Sequence, residues 1–188
     1  MQDRTQESSL PDRIVLTGFM GAGKTTIGRM LAEQLRWSFV DLDDVIVQME
    51  GQSIATLFAT IGEAAFRERE HAALKRVLHQ SSIVLALGGG AVEMEANRTL
   101  LRSTPGTKMI FLEAPLEILV ARCQQQTDAV VRPVLADSER LMQRYVERLP
   151  HYRRAHSVIS TADMEPADVV KAILAPFHVS LKLQPHRR

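Results

Sequence analysis

Eight consecutive residues, Gly18-Phe19-Met20-Gly21-Ala22-Gly23-Lys24-Thr25, satisfy the pattern G-x-x-x-x-G-K-[ST] at every fixed position. Glycines there permit backbone angles closed to other residues and turn successive N–H groups inward, which makes an anion cradle at a helix N-terminus. A triphosphate is the natural occupant, held by Gly21, Ala22, Gly23, Lys24, Thr25 and Thr26. Lys24 is placed to reach the β- and γ-phosphates, and the Thr25 hydroxyl to ligate Mg²⁺. The loop alone does not separate a kinase from a GTPase, an ATPase or a nucleotide-binding regulator.

Further along the chain, Asp41 and Asp43 stand two apart at the end of an apolar run. Extended backbone would point both side chains the same way, and carboxylates beside a triphosphate suggest metal binding. The plainer alternative is helix capping, for which Asp44, directly before Val45-Ile46, is the better placed acid. Arg67 interrupts an amphipathic helical pattern, and Glu70 follows on the same face, able to hold its guanidinium. Gly88-Gly89-Gly90 is costly in chain entropy unless the backbone must approach something closely; a wide turn is the alternative.

These groups need a scaffold, and the pattern around them supplies one. Arg13-Ile14-Val15-Leu16-Thr17 reads as a strand buried on both faces. A helix follows from Lys24 to about Arg36, with Ile27, Met30, Leu31 and Leu35 on its apolar face. Further strands are expected at Ser38 to Val40, Ser82 to Leu87, Lys108 to Leu112 and His156 to Ile159. Helices broken near Gly51 and Gly62 fill residues 43 to 79, Pro115 marks a helix start, and a closing helix runs from about Pro166 to Leu174. Strands alternating with helices predict an α/β fold, a three-layer α/β/α arrangement on a five-stranded parallel sheet.

Composition narrows the classes. With 188 residues the chain suits one ordinary domain, expected over 12–176 between a disordered segment at 1–11 and a flexible tail at 177–188. The 23 basic residues nearly balance 22 acidic ones, so a nucleic-acid or membrane-surface partner is not expected. One cysteine, Cys123, leaves no internal disulfide and no Cys-based metal cluster. No apolar run nears the roughly 20 residues that span a bilayer, and the first residues lack a signal-peptide core. A cytoplasmic monomer is the expectation.

Taken in order, Asp41-x-Asp43, Phe66-Arg67-x-x-Glu70, Gly88-Gly89-Gly90, Arg132-Pro133-Val134-Leu135 and Glu147-Arg148-x-Pro150-x-Tyr152 resemble the shikimate kinase family. The resemblance runs from about Arg13 to Thr161. It implies the nucleoside monophosphate kinase fold with a mobile lid, and phosphorylation of shikimate by ATP with Mg²⁺ in aromatic amino acid biosynthesis. By the same resemblance Asp41 holds Mg²⁺ with Thr25, while Asp43 binds substrate hydroxyls and is a candidate general base. Arg67 and Arg148 bind the substrate carboxylate, a task suited to planar guanidinium. Gly88, Gly89 and Gly90 line the substrate pocket. Arg132, on a lid between Gln124 and Ala136, reaches the transferring phosphoryl group, and Arg122 lies near the adenine. Lys24, Asp43 and Arg132 are thus the catalytic set. Arg153 and Arg154 are assigned to the surface, Trp37 and Tyr145 to packing. Two rivals share the nucleotide loop: a kinase for another hydroxy acid such as gluconate, and a regulator without catalysis.

Overall fold

The computed structural model describes residues 10–125 and 138–177. The expectations for the first nine residues, for the tail beyond Phe177, and for Arg132 with most of the lid around it lie outside the described residues; the lid's expected first residues, Gln124 and Gln125, instead end the helix Leu116–Gln125.

Why the chain builds a sheet here is visible in β1 (Arg13–Thr17), whose five residues are all buried. A strand apolar on both faces must sit inside a sheet, and β1 occupies the centre. The order is β2-β3-β1-β4-β5, with β2 (Ser38–Asp41), β3 (Ile83–Ala86), β4 (Thr107–Glu113) and β5 (Ser157–Ser160). All pairings are parallel; Arg13 sits opposite Ile83 on one side and Thr107 on the other. The phosphate loop leaves β1 beside its junction with β3, where neighbouring crossovers leave a crevice at the C-terminal strand ends.

Among the described residues seven helices cover the sheet: α1 (Lys24–Leu35), α2 (Leu42–Glu50), α3 (Ile54–Val77), α4 (Glu95–Ser103), α5 (Leu116–Gln125), α6 (Ser138–Tyr152) and α7 (Pro166–Leu174). α1 packs on α7 and β3, whereas α3 packs on α2 and α4. Among the described residues no helix is long and apolar enough to cross a membrane. The expected break at Gly51 is the left-handed end of α2, at φ 68°. Gly62 has φ 76° and ψ 171°, a kink that divides α3 into two helical pieces. On α1 the buried face is Ile27, Gly28, Leu31 and Ala32, while Met30 turns outward.

α4 carries no clear sequence signal, for a physical reason. Its inward positions include Asn97 and Arg98, so an apolar period never develops. These polar side chains are buried because they serve the main chain. Asn97 Nδ2 donates to the Ala91 carbonyl at 2.9 Å, and Arg98 Nη1 to the Val92 carbonyl at 2.6 Å. The segment that follows Gly90 is thereby tied to α4.

Candidate active site

Gly18, Gly21 and Gly23 all have left-handed φ values, of 147°, 75° and 87°. At Gly21 a Cβ would fall 2.3 Å from the Leu119 carbonyl oxygen, so no other residue fits without moving α5. Gly23 caps α1, and no acid stands in that helix's first turn, which leaves its positive end to an anion. Lys24 Nζ lies across the loop, donating to the carbonyls of Gly18 at 2.8 Å and Phe19 at 3.0 Å.

Opposite the loop, Asp41 ends β2 and begins α2. Its side chain accepts from Asp43 N at 3.1 Å, so Asp41 is the helix cap. This corrects the assignment of capping to Asp44, which is exposed in the first turn. It also corrects the extended geometry expected for the pair, since Asp43 is already helical. The two carboxylates converge all the same, because the strand passes into the helix with no intervening loop. Oδ2 of Asp41 is 3.2 Å from the Thr25 hydroxyl. Two hard oxygen donors at the entry of a phosphate loop fit a magnesium ion. Burial holds the Asp41 carboxyl above its ordinary range despite the bond from Asp43 N. Asp43 is raised as well, by burial first and then by the charge of Asp41.

Loop and acids share one cavity of about 470 Å³, whose walls include Gly21, Lys24, Thr25, Asp41, Asp43, Gly88, Gly89 and Arg148. Gly88 to Gly90 follow β3 with none at positive φ, so a special turn is not their reason. Close approach is. A Cβ would lie 2.7 Å from Asp43 Oδ1 at Gly88 and 2.4 Å from Arg67 Nη2 at Gly90, with Arg148 Nη1 3.5 Å away at Gly89. The run therefore admits three charged side chains against bare backbone.

Arg67 stands on the second piece of α3 and bonds Glu70 Oε2 through Nη1 at 2.9 Å, the spacing expected from the sequence. Glu70 is only 1% exposed, a fixed counter-charge beneath the guanidinium. Burial opposes the charge on Arg67, but Glu70 and Glu93 outweigh it and the group is held above its ordinary value. Phe58 and Phe66 face the same guanidinium at 5.9 and 5.6 Å. Arg148, on α6, lies over the Phe19 ring at 5.8 Å and comes within reach of the cavity. Arg67 does not itself line that cavity; it meets the Arg148 side through Glu93, which bonds both.

Sequence reasoning missed one contributor, Glu93, and gave another, Tyr152, a place in a motif but no role. Glu93 bridges the arginines from a position three residues beyond the glycine run, where no motif marks it. Tyr152, fully buried and stacked on Phe111 at 5.2 Å, donates its hydroxyl to the Gly89 carbonyl and so fixes the middle glycine. Burial pushes its phenol up, so the donor proton stays in place. The signal for Tyr152 was its place two residues after Pro150.

A second cavity of about 390 Å³ lies behind the loop, between Ala22, Thr26, Arg122 and the segment Thr161 to Val169. Arg122 is anchored there, donating to the Thr161 hydroxyl at 3.0 Å and to the Thr161 carbonyl. Arg153 is exposed and paired with Glu113 at 2.9 Å, and Arg154 is exposed too. Trp37 is partly buried against the core; Tyr145 meets Phe19 edge-on at 5.4 Å, and its hydroxyl reaches the Ala114 carbonyl at 3.2 Å. Cys123 is a buried helix residue.

The family model that matches the chain is that of shikimate kinase, over residues 20–177. A shikimate kinase of Psychrobacter cryohalolentis is 42% identical over 165 residues, 86% of each chain. Among solved structures, the shikimate kinase from Acinetobacter baumannii in complex with shikimate superposes with a TM-score of 0.80 at 36% identity, covering 93% of this chain and 96% of that one. A gluconokinase from Sinorhizobium meliloti reaches 0.62 at 20% identity, over 90% of this chain and 93% of its own. That last likeness is one of fold alone.

Proposed function

Because the chain belongs to the shikimate kinase family, we propose that it transfers the γ-phosphoryl group of ATP to the 3-hydroxyl of shikimate, releasing ADP and shikimate 3-phosphate. It is then an ATP-dependent phosphotransferase of aromatic amino acid biosynthesis. The observation that carries this reading is one cavity in which a triphosphate cradle, a carboxylate and a guanidinium face each other. A phosphate donor, an alcohol and an acid group can be seated there together.

Transfer of a phosphoryl group passes through a loose transition state, so positioning and charge neutralisation carry most of the catalysis. The loop amides and Lys24 hold the triphosphate, and the adenine takes the cavity at Arg122. Thr25 and Asp41 would hold Mg²⁺, which when bound offsets phosphate charge. Asp43 orients the attacking hydroxyl and accepts its proton; its raised pKa brings it nearer the range in which a carboxylate works as a base. Arg67 and Arg148 grip the substrate carboxylate, and Gly88 to Gly90 let the ring approach. Arg132 is assigned the spreading charge on the phosphoryl group. The proposed setting is the cytoplasm, with the protein working as a monomer.

Coupled measurement of ADP release over shikimate, gluconate and neutral polyols tests the reading. Turnover confined to shikimate is the expected result. Faster turnover of gluconate, or none with any acceptor, would overturn it.

A further inference from the structure

Glu93 is anchored at its main chain, while its side chain is partly exposed and held, among the described residues, only by two arginines. Its N–H donates to the Gly90 carbonyl at 2.9 Å, and its own carbonyl accepts from Arg98 Nη1. The carboxylate is 32% exposed, so rotation about the side-chain bonds can carry it into solvent. Where it stands, Oε2 accepts from Arg67 Nη2 at 2.9 Å and Oε1 accepts from Arg148 Nε at 2.8 Å, with Arg148 Nη2 at 3.5 Å from Oε2.

This contact occupies donors that a second carboxylate would need. A guanidinium has one N–H on Nε and two on each terminal nitrogen. The single Nε–H of Arg148 is directed at Glu93, so the Nε–Nη2 fork that a carboxylate grips with two bonds already holds one. On Arg67, Nη2 serves Glu93 and Glu63, the latter at 3.1 Å, and Nη1 serves Glu70. An incoming carboxylate cannot take those N–H groups while Glu93 keeps them, and it would meet a like charge. Glu70, at 1% exposed, has nowhere to go; Glu93 has.

We propose that Glu93 is an internal competitor for the substrate's carboxylate, holding Arg67 and Arg148 until an acid group displaces it into solvent. The proposal rests on the assignment of those two arginines to that carboxylate. Binding then exchanges one set of ion pairs for another. A neutral polyol, with no charge to offer the arginines, cannot displace Glu93, so selectivity for acids is sharpened at the expense of affinity.

Calorimetric titration of shikimate into the wild-type protein and Glu93→Gln, at low and high salt, is the test. Glu93→Gln should bind about fivefold more tightly, near the upper worth of a partly exposed ion pair. The gain should appear in KM. Its affinity should also fall more steeply with salt, because the variant forms ion pairs that the wild type only trades. A thermal melt gives a second readout: Glu93→Gln should melt at or below the wild type without shikimate, yet show the larger shift with it. Loss of a mere scaffold would not enlarge that shift. Equal or weaker binding, or an unchanged salt slope, overturns the proposal. If Glu93→Gln folds poorly, Glu93→Asp, too short to span both arginines, is judged by the same affinities. Arg67→Ala and Arg148→Ala are titrated alongside. Should they bind shikimate like the wild type, the assignment of the arginines fails; should they bind weakly while Glu93→Gln gains nothing, only the competition fails.

Discussion

Replacing Gly90 by alanine isolates the placement of one guanidinium. Gly90 is not at positive φ, so alanine brings no backbone strain. The added Cβ would sit 2.4 Å from Arg67 Nη2, 2.7 Å from Nη1 and 2.9 Å from Cζ, where ordinary contact begins at 3.4 Å. The head of Arg67 must therefore retreat by about 1 Å, the difference between contact and the shortest of these, and cannot keep all three carboxylate partners. A charge-assisted hydrogen bond is worth about 1.5–3 kcal/mol, and the stiffer unfolded chain returns roughly 0.4–1 kcal/mol, so net stability should fall by about 0.5–2.6 kcal/mol. Function should suffer more, since a displacement of about 1 Å can cost on the order of 100-fold. We expect the KM for shikimate to rise about 10- to 100-fold in a coupled ADP-release assay, with the KM for ATP unchanged. Gly51→Ala is the control: its φ of 68° imposes strain, but no atom lies within 4 Å of the new Cβ, so it should cost stability and leave both KM values alone. An unaltered KM for shikimate in Gly90→Ala, or an equal rise for both substrates, would refute the placement of Arg67 at the acid group.

Gly21→Ala meets a backbone oxygen at 2.3 Å and a φ of 75°, neither of which can yield cheaply. A loss of at least about 2 kcal/mol in urea denaturation is expected, together with loss of ATP binding in a nucleotide titration. Lys24→Ala should keep the fold in a thermal melt and lower kcat about 100- to 1,000-fold. Asp43→Asn should lower kcat about 100-fold or more. Because burial raises the Asp43 pKa, the folded protein binds that proton more tightly than the unfolded chain, and stability is lost as pH rises through the native pKa. The asparagine variant should thus melt above the wild type at neutral pH and lose that advantage toward the ordinary aspartate value of 3.8, while the wild-type kcat/KM for shikimate falls on an acid limb above 3.8. Tyr152→Phe leaves the Gly89 carbonyl without its donor and should cost about 1–2 kcal/mol in denaturant, with a few-fold rise in the KM for shikimate.

What could be read from the chain was local. β1 and α7 lie where their patterns put them, because one is a short run apolar on both faces and the other opens on a proline and keeps an apolar stripe. The phosphate loop is contiguous, and Arg67 meets Glu70 at a spacing any helix provides. Contacts between distant segments were not legible. Glu93 lies 26 positions from Arg67 and 55 from Arg148, and nothing in its neighbours announces either partner. α4 escaped notice since its inward face is polar. Asp44 looked like the cap because it precedes an apolar pair, but the junction of β2 and α2 has no loop, which moves the first helical turn back to Asp41.

The position of β1 at the middle of a parallel sheet carries a consequence for how the protein matures. Its two neighbours, β3 and β4, are translated only after a long further stretch, for Arg13 pairs with Ile83 and Thr107. Parallel pairing between such distant segments is slow, since chain closure precedes any reward. The cradle at Gly18 to Thr25 is thus translated well before the strands that flank it, and on a ribosome it must wait for the chain to emerge past Thr107 before it can close around a nucleotide.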